Sequence, residues 1–190
     1  MVQAATAAFP YPQGVSRWAF AGARSVGIWS RVASSVAYQV MPSRLFGASF
    51  SVGCATGCDQ AVRAILGTGP GLTVLQAQSG SRWALAARSA ACVRSVLPAA
   101  GGCLLAFPSG PCPAGVRAGR SFRGGGSGTW GAVGLALGLG LQVMVYVPVG
   151  VAVSGFAGPL GGRLSVVASG QWGAWLSAAP PGPQLSLFGG

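Results

Sequence analysis

The chain has 190 residues, of which 7% are charged: twelve Arg, one acid (Asp59) and no Lys, Glu or His, for a net charge of +11. One carboxylate with no imidazole or amine excludes paired-carboxylate and Ser/His/Asp catalysis and leaves a Cys nucleophile without a base. The chain therefore reads as no enzyme, with no catalytic residue, and its uncompensated charge calls for an external anion, most commonly phosphate.

The first 14 residues are small and polar with two Pro, and read as an extended arm. From Val15 to Met41 the pattern turns helical. Arg17, Arg24 and Arg31 recur every seven residues, which places them on one helical face beside Phe20, Ile28, Trp29, Val32 and Val36. Residues 45–80 are Gly-rich, with short apolar runs (Leu45–Val52, Ala64–Leu66, Leu72–Leu75) that predict short strands and turns. Residues 81–97 predict a helix with Trp83, Ala86, Ala87, Ala90, Val93 and Leu97 on its apolar face and Pro98 closing it.

Residues 98–128 form the main break. Gly and Pro cluster there, and a domain boundary near 112 divides an N-terminal helical/mixed region, 1–112, from a C-terminal α+β domain, 113–190. Inside the break, Arg117, Arg120 and Arg123, with Phe122 between the last two, form the densest basic site. With no acid nearby to pair with them, they read as phosphate contacts.

No charge occurs between Arg123 and Arg163, a stretch long enough for a membrane span by hydropathy alone. The period argues for a helix opened by Thr129, with Trp130, Val133, Leu137 and Leu141 on one side. Val then fills every odd position from 143 to 153, an alternation that predicts a strand. Leu164–Ala168 predicts a short strand, and the Gly/Pro-rich tail ends in an apolar Leu185–Phe188.

The five Cys are odd in number and irregularly spaced, unlike a secreted disulfide framework, and a reducing or matrix-like compartment fits them better. Cys54 and Cys58 have zinc-hairpin spacing, but Cys103 and Cys112 are too far apart to complete the set, so no metal or cofactor is assigned. Gly67-Thr-Gly-Pro-Gly71 lacks the Lys of a phosphate-binding P-loop. Lys, Asn, Glu and His, all absent, share codons with A in the middle position. That bias occurs in some organellar genomes, and also in a translated GC-rich frame without a selected function.

Ser121-Phe-Arg123, a helix, a Val-rich strand and Gly158-Pro-Leu-Gly-Gly162-Arg163 together resemble the C-terminal domain of the small-subunit ribosomal protein numbered three, the family with the type II KH domain. Pro159 stands where the family has Arg, and no KH Gly-x-x-Gly loop with basic residues occurs in 1–112. The resemblance implies an α+β protein of a mitochondrial small ribosomal subunit. It would contact ribosomal RNA and neighbouring ribosomal proteins in the matrix and would have no small-molecule substrate. Arg117, Arg120, Arg123, Arg163, Arg17, Arg24 and Arg31 are its expected RNA-binding residues. The alternative from another class is a subunit of a mitochondrial respiratory complex that spans the membrane at about 131–157.

Overall fold

A computed structural model describes residues 9–96, 101–170 and 173–178. Helices and strands are mixed along the chain, the α+β composition that the sequence implies. Their order alternates: β1 (Arg17–Gly22), α1 (Ile28–Val40), β2 (Ser49–Gly53), α2 (Cys58–Leu66), β3 (Leu72–Leu75), α3 (Arg82–Arg94), β4 (Gly102–Phe107), α4 (Gly128–Gly138) and β5 (Gln142–Pro148). A short helix α5 (Val153–Ala157), a 3₁₀ turn and the strands β6 (Ser165–Gly170) and β7 (Gly173–Ala178) follow.

The strands form one seven-stranded sheet in the order β3-β2-β1-β4-β5-β7-β6. The first five are parallel, while β7 pairs antiparallel with β5 and β6 with β7. Such a sheet is buried on both faces, and the two-residue period of its strands decides which core each side chain joins. Trp18 and Phe20 of β1, Cys103, Leu105 and Phe107 of β4, and Met144 and Tyr146 of β5 pack with the apolar faces of α1 and α2. Ala19, Leu104, Ala106, Val143, Val145 and Val147 pack on the other side with α3 and α4. The Val alternation thus marks one face of β5 as far as Val147, and Val149 and Val151 are exposed beyond it.

Several expectations are corrected. Arg17, Arg24 and Arg31 share no helix: Arg17 is in β1, Arg24 in the following loop and Arg31 in α1. The Gly-rich stretch 45–80 contains a nine-residue helix, α2, whose last turn is the apolar run 64–66. Strands from both sides of residue 112 join one sheet, so the break at 98–128 is a connection inside that sheet rather than a linker between domains. Residues 131–157, where the alternative reading puts a membrane span, run through α4, β5 and α5, and no described helix is long and apolar enough to cross a membrane. The cap of α4 is Ser127, not Thr129. Pro98, Leu97 and Leu185–Phe188 lie outside the described residues.

Candidate ligand-binding cleft

The strand order reverses between β1 and β4. From β1 the chain winds outward through β2 and β3, then returns to β4 on β1's other side. The connections leaving β1 and β4 therefore run to opposite faces, to α1 and to α4, and part at the C-terminal edge of the sheet. A crevice at this point is the usual ligand position in open parallel sheets. Here it is a cleft of about 1040 Å³, bounded by the ends of β1 and β2, the β4–α4 connection, the length of α3 and the first turn of α4.

One wall is the run Gly124-Gly-Gly-Ser-Gly-Thr129, which leads into α4. Ser127 caps the helix by accepting from Trp130 N at 3.2 Å, and a turn closes before it with Ser127 N donating to Gly124 O at 2.7 Å. The first free N–H groups of α4 thus sit at the cleft, where the helix dipole favours an anion. The ring of Trp130 is buried under the wall, and its Nε1 donates to Gly110 O at 2.8 Å. That bond fixes the start of the connection, Ser109–Pro111, which also lines the cleft.

The opposite walls carry the charge. Arg24 follows β1, and Arg82 and Arg88 project from α3. Gly57 N-caps α2 and lies so close to the β1–α1 loop that a Cβ there would stand 2.4 Å from Ala23 O and 2.5 Å from Arg24 O. The Gly57 φ of +69° also disfavours any side chain. Cys58 N donates to Ala23 O and Thr56 Oγ1 to Arg24 O, so the two loops are tied together behind Arg24.

Arg88 is nine-tenths buried, and its Nη1 meets Asp59 Oδ2 at 3.3 Å. Its Nε has no hydrogen-bond partner. Burial pushes the Asp59 carboxyl up to about 6, against the pull of Arg88 and, more weakly, Arg63 and Arg24. Three guanidinium groups and one carboxylate, itself bound to Arg88, leave the cleft positive. The arrangement can hold an anion at the α4 N-terminus, with cations on the facing wall.

The seven arginines expected to bind RNA are scattered. Arg17 is half-buried at the start of β1, at the sheet edge away from the cleft, and Arg31 is exposed on α1, on the face away from α3 and α4. Arg117, Arg120 and Arg123 all lie exposed on the β4–α4 connection. Arg94 of α3 steadies that connection by donating to Arg120 O at 3.4 Å, and Arg117 turns back to the carbonyls of Ala114 and Val116. Arg163 is exposed at the end of the 3₁₀ turn, and only Arg24 of the seven lines the cleft.

Arg82, Arg88 and Gly124–Thr129 escaped the sequence reading. A Gly run between an apolar strand and a Ser-capped helix was the available signal for the last of these. Comparison of the chain with family models, curated proteins and solved structures finds no match.

Proposed function

We propose that the chain is a binding protein for a small phosphate-bearing ligand, held in the cleft between the α4 N-terminus and the arginines of α3. The observation that carries this reading is the meeting of a Gly-rich, Ser-capped helix start with Arg24, Arg82 and Arg88 at the β1/β4 reversal. Glycines let a phosphate approach the backbone closely, and the free N–H groups and the dipole supply its counter-charge. The reading assigns binding and no catalysis, since Asp59 is the one side-chain carboxylate and Arg88 already engages it.

Gly128 gives a clean test. It is the first residue of α4, and a Cβ there would meet only Ser89 Oγ, at 3.9 Å. Gly128→Asp sets a carboxylate where helices favour one, so the fold keeps its stability, while the new charge repels a bound phosphate. Calorimetric titration with ribose 5-phosphate should give binding to the wild-type chain and at least a tenfold loss in the variant. Equal affinity in both would remove the ligand from this end of the cleft.

A second reading keeps the ribosomal assignment: a constituent of a mitochondrial small ribosomal subunit that contacts ribosomal RNA. What supports it is the exposed trio Arg117, Arg120 and Arg123 on one connection, in a chain with a net charge of +11. Replacing all three by Gln should then weaken RNA binding and reduce its salt dependence by up to about three charge units. Unchanged salt dependence would leave the trio as a solvated surface.

A further inference from the structure

We propose that Trp83 is the platform on which the ligand's planar ring stacks, so that the cleft selects aromatic phosphate esters such as nucleotides over ring-free phosphates. The inference rests on the cleft reading above and adds the residue that sets its specificity.

Trp83 is 86% exposed, whereas Trp18, Trp130 and Trp175 are each 1% exposed or less. A ring of this size left in water gains nothing for the fold. Several other large apolar side chains are exposed, including Leu45, Phe46 and Val26, but Trp83 is the one among them that lines the cleft.

Its placement follows from the start of α3. Ser81 caps the helix by accepting from Ala84 N at 3.2 Å, which puts Trp83 in the first turn beside Arg82. The next cleft-lining position one turn on is Ala86, too small to cover the indole face, and the wall contributed by α4 and its loop is mostly glycine. Phe20 also lines the cleft but is buried, and Phe122 is half-buried, so Trp83 is the largely exposed π-face of the lining, beside adjacent cations and an anion-binding helix start. That combination fits a molecule with a flat ring at one end and a phosphate at the other.

Stacking on an aromatic side chain tolerates any base, so both purine and pyrimidine probes apply. Titration calorimetry at fixed salt would use adenosine monophosphate, cytidine monophosphate and ribose 5-phosphate on the wild-type chain, Trp83→Ala and Trp83→Phe. The wild-type chain should bind both nucleotides about tenfold or more tightly than ribose 5-phosphate. Trp83→Ala should bring the nucleotides down to the level of ribose 5-phosphate without changing the latter, and Trp83→Phe should keep most of the preference. Nucleotide binding should also quench indole fluorescence in the wild-type chain and not in Trp83→Phe. Equal wild-type affinity for nucleotides and ribose 5-phosphate, or an equal loss of both in Trp83→Ala, overturns the stacking role while leaving the phosphate site intact. No binding of any of the three probes overturns the phosphate site, and this role with it.

Discussion

Asp59 and Arg88 form an ion pair of 3.3 Å that joins α2 to α3 across the C-terminal end of β2, with both side chains at most 10% exposed. Gly53 at the end of β2 makes room for it, since a Cβ there would stand 2.4 Å from Asp59 Oδ2 and 2.8 Å from the guanidinium. Taking the carboxylate out of water costs more than Arg88 returns, and Asp59 is pushed from 3.8 up to about 6. The folded chain therefore holds this proton more tightly than the unfolded one. The stability tied to protonated Asp59 is complete below about pH 4 and is lost as pH rises through 6.

The sequence makes that effect measurable. Asp59 is the one acidic side chain and there is no His, so few other groups titrate in this window. Urea unfolding between pH 4 and 7.5 should show stability falling by about 2–3 kcal/mol as pH rises. Asp59→Asn, a neutral stand-in for the protonated carboxyl, should flatten that slope and hold the low-pH stability across the range. A rise in stability over the same range would mean that Arg88 outweighs burial.

The same guanidinium touches Cys54. The Cys54 thiol is half-buried, accepts from Ala77 N at 3.4 Å and Arg88 Nη1 at 3.8 Å, and titrates below its ordinary value because those donors favour the thiolate. Burial drives the other thiols the opposite way, Cys58 and Cys92 to about 12 and Cys112 to about 11, with Cys103 also raised. An aromatic disulfide reagent at pH 7.5 should therefore find one fast thiol, with the other four reacting only as the chain unfolds. Cys54→Ser should remove the fast phase alone. A fast phase that survives would assign it to another cysteine.

Local patterns in the sequence found several elements. The helix expected at 81–97 is α3, and its Ala90 and Val93 are core residues, although Trp83 at the head of the apolar series faces solvent. The Val alternation found β5, and Leu164–Ala168 overlaps β6. What escaped was decided by tertiary context. The six residues of β1 carry Trp18 and Phe20 to one face and Ala19 to the other, a period of two too short to stand out beside three evenly spaced arginines. Short α2 is hemmed in by Gly57 and Gly67, which read as turns. The cleft collects residues from positions 20 to 129, so no window of the sequence contains it. Gly124–Gly128 read as a linker because only the sheet reversal makes that loop face a crevice.

The glycines of α4 are the least expected feature of a helix, and the structure accounts for three of them. Gly131, Gly134 and Gly138 form a stripe along one side, and the β4–α4 connection folds back onto it. A Cβ on Gly131 would stand 2.6 Å from Phe122 Cζ and 2.7 Å from Gly124 Cα, one on Gly134 2.7 Å from Arg117 O, and one on Gly138 2.3 Å from the backbone of Gly119. Gly119 N also donates to Gly134 O at 3.1 Å, so the connection is bonded to the helix it precedes. In a free helix Gly→Ala gains about 1 kcal/mol. At Gly138 the new methyl meets backbone that cannot rotate away, and Gly138→Ala should instead destabilise the fold by about 1–3 kcal/mol. Gly128→Ala, with open space around it, is the matched control and should be neutral or slightly stabilising. Gly131→Ala should push Phe122 and Gly124 from the cleft wall and so weaken ribose 5-phosphate binding as well as the fold. Urea denaturation of the three variants, with ligand titration of the last, separates these effects. A Gly138→Ala chain as stable as the Gly128→Ala control would mean that the connection does not rest on the helix, and the wall of the cleft would lose its support.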